Sequence, residues 1–443
     1  MSPARSARNY YSVTPAGFGL DFGTTNSSIA VAYPDGRKQL VKFPTAASFT
    51  EAYRSLLYLE RIRQGSRSTL KSWTGPQGIE QYLQAEEKGR LIQSLKSFLS
   101  SRGLRSTEIF GRQVALEELI AKILRDIRAE AEHQLHARLR SVVVGRPVRF
   151  VGAENESDDE FAVARLEEAL SLAGFEKVRF ELEPVGAACH YESTLDHDEL
   201  ILIGDFGGGT SDFSLLRVGP SYRGERRNPE ALLGNEGVGL AGDAFDAKIV
   251  RHLVSPALGA GTMIRSMDKL LPVPNWVYFK LERWHHLSLL RSSETLNMLE
   301  SVRAQALEPD RIGALLSLVR HGLGYPLHQA VQRVKCRLSE TTAATFRFQD
   351  GDLDLEADVT RTQFEGWIAE EIMTIEQCVD RLLAKAGTHA SAVDNVFLTG
   401  GSSFVPAVRR IFESRFGADR IRTGDEFTSV ASGLALRAWS GKI

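Results

Sequence analysis

Cysteine is scarce: Cys189, Cys336 and Cys378 are the three thiols in 443 residues. An odd number, widely spaced and without a CxxC pair, excludes a disulfide framework and a zinc site and fits a reducing cytoplasm. No stretch approaches the roughly 18 apolar residues of a membrane helix. The opening "MSPARSARNYYSVTPAG" has arginines but lacks the apolar centre of a signal peptide, and reads as an uncleaved lead-in. Neither charge dominates: 54 basic against 56 acidic residues, formally -2, give no footprint for nucleic acid. The phosphate-binding pattern G-x-x-x-x-G-K-[ST] is also missing, which excludes a P-loop mechanism.

What is present is a repeated phrase. "GLDFGTTNSS" (19–28) and "GDFGGGTSDF" (204–213) each run an apolar strand into Asp-Phe-Gly and then into small and hydroxyl residues. Each reads as a strand, a tight turn and a returning strand, the first continuing through a Pro-Asp-Gly turn into a third strand. Turns of this kind expose backbone N–H groups and hydroxyls that form a nest for phosphate. Two facing copies would clasp a phosphate chain from both sides, with Asp21 and Asp205 holding a hydrated Mg²⁺, which keeps several waters.

The length implies two lobes. We expect a first lobe over 1–187 with an inserted subdomain at about 45–110, and a second over 188–443 with a helical insert at about 240–325. Apolar residues at helical spacing predict a helix over 113–139 that feeds the strand "SVVVGRPVRF". The acidic "ENESDDE" reads as the solvated start of the next helix, closing at Gly174. "NVFLTGGSSFVPAVRRIFESRFG" predicts strand, glycine turn and Pro-started helix. Residues 262–330 are expected to be helical. "GVGLAG" (237–242) matches GxGxxG, but follows no convincing strand and has no acidic residue after a second strand, so it reads as the start of a helix near phosphate rather than a dinucleotide site.

Together "GLDFGTTNS", "GDFGGGTSDFS", "VFLTGGSSFVP", "GLAGDAFD" and "ELEPVGAA" give the chain its resemblance to the nucleotide-binding domain of the seventy-kilodalton heat-shock chaperones, from about Gly17 to Trp439. Within that family it is most similar to short bacterial YegD-like members. The resemblance implies an α/β fold of the actin-like kind, a duplicated ribonuclease-H-like core in two lobes with inserted subdomains, which binds ATP or ADP with Mg²⁺. It implies Lys96 at the γ-phosphate, Asp205, Glu183 and Thr210 beside it in catalysis, and Asp21 and Asp205 on the metal through water. Gly23, Thr24, Thr25 and Asn26 fall on the first phosphate turn and Gly207, Gly208, Gly209 and Thr210 on the second. Gly242, Lys335, Ser339, Gly400, Gly401 and Ser402 fall on the adenosine side. Pro147 matches a nucleotide-sensing proline, for which Arg165 is the nearest candidate partner.

The chain departs from the family at Gln332, Cys336, Phe404 and Phe427, all on the adenosine side, which weakens the adenine assignment relative to the phosphate one. His285 and His286 read as structural, and the aromatic stretch around Trp276 and Trp284 as subdomain core or partner surface. The resemblance implies a slow chaperone-type ATPase, cytoplasmic, with a protein partner or co-chaperone and neither nucleic acid nor membrane. A peptide-binding domain is expected to be missing. An actin-like filament ATPase and a nucleotide-binding interaction module without turnover are the alternatives.

Overall fold

The computed structural model describes residues 14–45, 48–64, 67–85, 89–222, 231–283, 286, 290–422 and 430–440. Trp284, His285 and Phe427 lie outside the described residues, as does most of the N-terminal lead-in.

Two five-strand paths repeat one topology. In the first sheet Gly17–Phe22 pairs antiparallel with Asn26–Ala32, which pairs with Lys38–Leu40; Ser141–Arg146 and then Lys177–Leu182 add in parallel on the other side. In the second, Glu199–Phe206 pairs antiparallel with Ser211–Val218, which pairs with Leu232–Val238; Asn395–Thr399 and Ile421–Arg422 add in parallel. Both leading strands are mostly apolar and buried, as strands covered by helices on each side must be, and in both the Asp near the C-terminal end is only partly buried between buried neighbours. The α/β class is the expected one.

Helices cover the sheets. Leu116–Leu135 buries Leu119, Ile120, Ile123, Leu124 and Ile127 against the first sheet's core. The next, Glu156–Leu172, is capped by Asn155, whose side chain accepts from the Asp158 N–H, so most of the acidic stretch forms the helix's first turn rather than preceding it.

Helix Val430–Ser440 returns to the first sheet. A β-carbon on Gly19 would stand 2.3 Å from the Ala431 carbonyl oxygen, and one on Gly433 would stand 1.8 Å from that of Gly186. Glycine at these positions lets the helix lie on the sheet and on helix Glu183–Thr194, whose Val185 and Ala188 pack on the second sheet's Ile201, Ile203 and Leu216. The chain therefore crosses between the sheets a second time near its C-terminal end, which one boundary at 187/188 leaves out.

The segment at 45–110 carries the sheet of Leu56–Gln64, Arg67–Thr74 and Arg90–Gln93 with helix Gly75–Gln84. Residues 262–330 are not all helical: they open with the hairpin Met263–Ser266/Lys269–Pro272, whose two-residue turn places Met267 at φ +54. Helices Ser293–Gln305 and Pro309–Arg320 follow. In Trp276–Leu281, Val277, Tyr278 and Leu281 are buried while Trp276 and Phe279 are exposed. The segments also touch across the cleft: Tyr82 donates to the Gly322 carbonyl at 3.1 Å, and Tyr325 packs with Leu56, Tyr58, Tyr82 and Leu91.

Candidate nucleotide cleft

The two hairpin turns face each other at the floor of a cleft of about 870 Å³ between the sheets. Its wall includes Asp21, Gly23, Thr24, Thr25, Asn26, Lys96, Pro147, Glu183, Asp205, Gly207, Gly208, Gly209, Thr210, Gly242, Lys335, Gly400, Gly401 and Ser402. Gln332 and Cys336 line it as well. Ser339 lies off the wall, its hydroxyl donating back to the Lys335 carbonyl at 3.2 Å, one turn earlier on helix Gly324–Glu340. Phe404 is also off it, 64% exposed.

The second turn is braced internally and from outside. The Gly207 N–H donates to the Thr210 carbonyl at 2.9 Å, and the Asp243 N–H, from helix Gly242–Ile249, donates to the Gly208 carbonyl at 2.8 Å. "GVGLAG" does follow a strand, Leu232–Val238, contrary to the reading from sequence. That strand is the antiparallel edge of a meander rather than part of a parallel βαβ unit, so no dinucleotide crevice results. The glycines lead directly into helix Gly242–Ile249 on the cleft wall.

Acidic groups gather around one ammonium. Lys96 sits on the 3-10 turn Leu95–Phe98, 8% exposed, and its Nζ meets Glu183 Oε1 at 2.6 Å. Burial by itself depresses the Lys96 ammonium, but Glu183 and Asp21 beside it carry it above its ordinary value. Asp21 is pushed up to about 7 by burial and then by the charge of Glu183. Burial also raises Asp205, although Thr399 Oγ1 donates to its Oδ1 at 2.8 Å.

Asp212 escaped the reading from sequence. Burial and then the neighbouring Asp205 push it up to about 7, and Thr210 Oγ1 donates to its Oδ2 at 3.0 Å. Hairpin register holds the signal, because Asp205 pairs directly with Asp212 and paired residues share a face. Asp243, also raised by burial, and Arg54 and Arg149 line the cleft without having been singled out.

Among the described residues no cluster of three or more His, Cys, Asp or Glu side chains is set for direct metal coordination. Asp21, Glu183, Asp205 and Asp212 nevertheless crowd carboxyl groups around one lysine, and burial is the main reason that Asp21 and Asp212 are raised. A divalent cation that keeps its waters fits this donor set.

On the helix where the family resemblance expects adenosine contacts, Lys335 Nζ meets Asp246 Oδ1 at 2.8 Å and donates to the Gly242 carbonyl at 3.3 Å. Arg165 does not serve Pro147. Its guanidinium faces Glu117 and the carbonyls of residues 98–104.

The family model for Hsp70 protein matches residues 79–264 and 324–440. This chain belongs to the Hsp70 family. The Hsp70 nucleotide-binding domain has the actin-like ATPase fold, in keeping with the duplicated sheets here. Among curated relatives, the chaperone protein DnaK of Thermosipho africanus (strain TCF52B) is 25% identical over 421 residues, covering 95% of this chain and 58% of the relative. That of Thermosipho melanesiensis (strain DSM 12029 / CIP 104789 / BI429) is 24% identical over 423 residues, with the same coverage. The chain thus spans a little under three fifths of the length of these Hsp70 relatives. The family model skips residues 265–323, most of the segment with the unexpected hairpin and the aromatic stretch. No helix among the described residues is long and apolar enough to cross a membrane.

Proposed function

We propose that this Hsp70-family chain binds ATP with Mg²⁺ between two lobes, hydrolyses it slowly, and signals its nucleotide state through lobe closure to a protein partner or co-chaperone in the cytoplasm. In this reading the lobes are 1–187 and 188–443 with their inserts, the last helix excepted. The observation that carries it is the meeting of the two phosphate turns beside the Lys96–Glu183 pair. A phosphate chain seated there would touch both turns only while they are close, so its loss favours opening.

The chemistry is phosphoryl transfer to water, where catalysis is positioning and charge stabilisation. Bound Mg²⁺ would supply charge neutralisation on the phosphates. Lys96 donates to the γ-phosphate from a fixed position, because Glu183 holds its Nζ. Asp205, oriented by Thr399, accepts a hydrogen bond from the attacking water or a metal-bound one. Thr210 orients Asp212 and offers its N–H to phosphate. Gly242, Lys335 and Ser402 serve the nucleoside, Lys335 after release from Asp246.

A single-turnover hydrolysis assay alongside calorimetric ATP titration tests this. Binding with measurable turnover supports it. Binding without turnover leaves a nucleotide-binding interaction module, a reading favoured by Cys336 and Gln332 standing exposed on the nucleoside wall.

A further inference from the structure

Lys96 rides on a short turn whose own backbone bonds are local, Ser97 N–H to the Ser94 carbonyl, Leu99 to Lys96 and Ser101 to Phe98, with Leu95 and Leu99 buried on either side. Ser94 enters it in the left-handed region at φ 58, an uncommon conformation for a residue with a side chain, and the 3-10 turn is over by Phe98. The carbonyls that follow are gathered by one side chain from another element. Arg165, on helix Glu156–Leu172 and 4% exposed, donates through Nη1 to the carbonyls of Phe98 (3.2 Å), Leu99 (3.3 Å) and Ser101 (3.2 Å), and through Nη2 to that of Leu104 (3.1 Å). Its Nε donates to Glu117, on helix Leu116–Leu135.

Two further contacts tie the same segment to the neighbourhood of that helix. Ser100 Oγ donates to the Val151 carbonyl at 2.5 Å, within the stretch that lines the cleft beside Pro147, and Arg102 Nε donates to Asp158 at 3.1 Å.

We propose that Arg165 is a positioning residue for Lys96: by capturing the carbonyl that ends the 3-10 turn and three that follow it, Arg165 sets where the ammonium stands in the cleft. It touches no substrate and acts only through the backbone. Arginine suits the task because its planar fork carries five donors at fixed angles, whereas lysine has three donors at one point and cannot span four carbonyls and a carboxylate. A purely structural buried ion pair would stabilise the fold without bearing on the reactivity of Lys96. The two roles therefore separate experimentally.

The proposal rests on the reading of Lys96 as the γ-phosphate residue, and the test has an arm independent of turnover. Arg165→Lys and Glu117→Gln would be made in the full chain, and nucleotide-free protein treated briefly with acetic anhydride, with acetylation of Lys96 quantified by mass spectrometry. ATP affinity by calorimetry and single-turnover rates complete the set. In Arg165→Lys we expect Lys96 acetylation to rise several-fold, ATP affinity to stay within about threefold, and the single-turnover rate to fall roughly 10- to 100-fold, the usual result of a displacement of about 1 Å. Glu117→Gln should move the same readouts less and in the same direction.

Wild-type acetylation of Lys96 in both variants would overturn the proposal, as would a rate loss matched by an equal loss of ATP affinity. Should Arg165→Lys fail to fold, acetylation in Glu117→Gln decides. If wild type binds ATP and never turns it over, the hydrolytic reading falls while the acetylation arm still judges Arg165.

Discussion

Thr25 and Gly208, one from each hairpin turn, touch across the cleft: a β-carbon on Gly208 would stand 2.1 Å from Thr25 Oγ1. A side chain there requires the Thr25 hydroxyl to turn away, and the Thr25 β-carbon, at 3.2 Å, still has to give by a few tenths of an ångström. Gly208→Ala should therefore favour the open form, because relieving this overlap by moving rigid lobes costs less than compressing packed atoms. We expect ATP affinity to weaken roughly tenfold, about 1.4 kcal/mol. Small-angle scattering should show a more open particle, and unchanged scattering with unchanged affinity would refute the closure argument.

Lys96→Ala removes a preorganised charge and should lower the hydrolysis rate about 10² to 10³-fold, roughly 3 to 4 kcal/mol, while ATP still binds. With turnover thus stalled, the ATP-bound variant should be more protected from hydrogen exchange at Thr24, Thr25, Gly208 and Thr210 than the ADP-bound one. Equal turnover in variant and wild type removes Lys96 from the mechanism.

The carboxylates set a pH dependence. Asp21 and Asp212 are raised to about 7 in the folded chain from 3.8. Between those values the folded state holds protons that the unfolded state has lost. Nucleotide-free stability from these groups is therefore greatest below about pH 4 and declines as pH rises to about 7. Asp21→Asn and Asp212→Asn should each flatten that slope in urea titrations. Cation binding favours the ionised carboxylates, so magnesium alone should bind more tightly as pH climbs through 7, with proton release visible by calorimetry in buffers of differing ionisation heat.

Lys335 is held by Asp246 at 2.8 Å, and Gln332 and Cys336 stand exposed on the wall. If the proposed nucleoside site lies here, it offers few fixed contacts to a base. ATP should be preferred over GTP by less than about tenfold, ~1.4 kcal/mol, in competitive titration. A preference for GTP would sink the adenine assignment.

Tyr325 is 8% exposed in an apolar cluster contributed otherwise by Leu56, Tyr58, Tyr82 and Leu91 from the opposite side of the cleft. Tyr325→Ala should loosen closure at the cleft's rim and speed release of a fluorescent ADP analogue roughly tenfold in stopped flow, an effect of about 1.4 kcal/mol on the barrier. Unaltered release would confine this tyrosine to local packing.

The hairpins were legible because they are local. Strand, turn and returning strand are written within Gly17–Ala32 in one copy and Glu199–Val218 in the other, and the turn chemistry of Gly, Thr and Asp is a property of those residues alone. The same locality made Asp212 recoverable from register. Helix Leu116–Leu135 was legible from its period.

Contacts between distant segments were decided elsewhere. Lys96 and Glu183 are 87 positions apart and become a 2.6 Å pair only when an inserted segment folds back over the first sheet. Family likeness pointed to both residues, but nothing in the spacing set their distance. Arg165 was expected at Pro147 and instead caps the Lys96 segment, because the orientation of its helix, not its place in the chain, selects which carbonyls it meets. Ser339 and Lys335 share a helix face, four residues apart, yet one lies off the wall and the other on it, since Ser339 stands one turn farther along the axis than the stretch that borders the cleft. Residue chemistry and short-range periodicity settled which groups this protein owns; the close approach of glycines, Gly433 on the Gly186 backbone and Gly208 on the Thr25 side chain, settled where they meet, because only tertiary packing brings such distant groups within van der Waals reach.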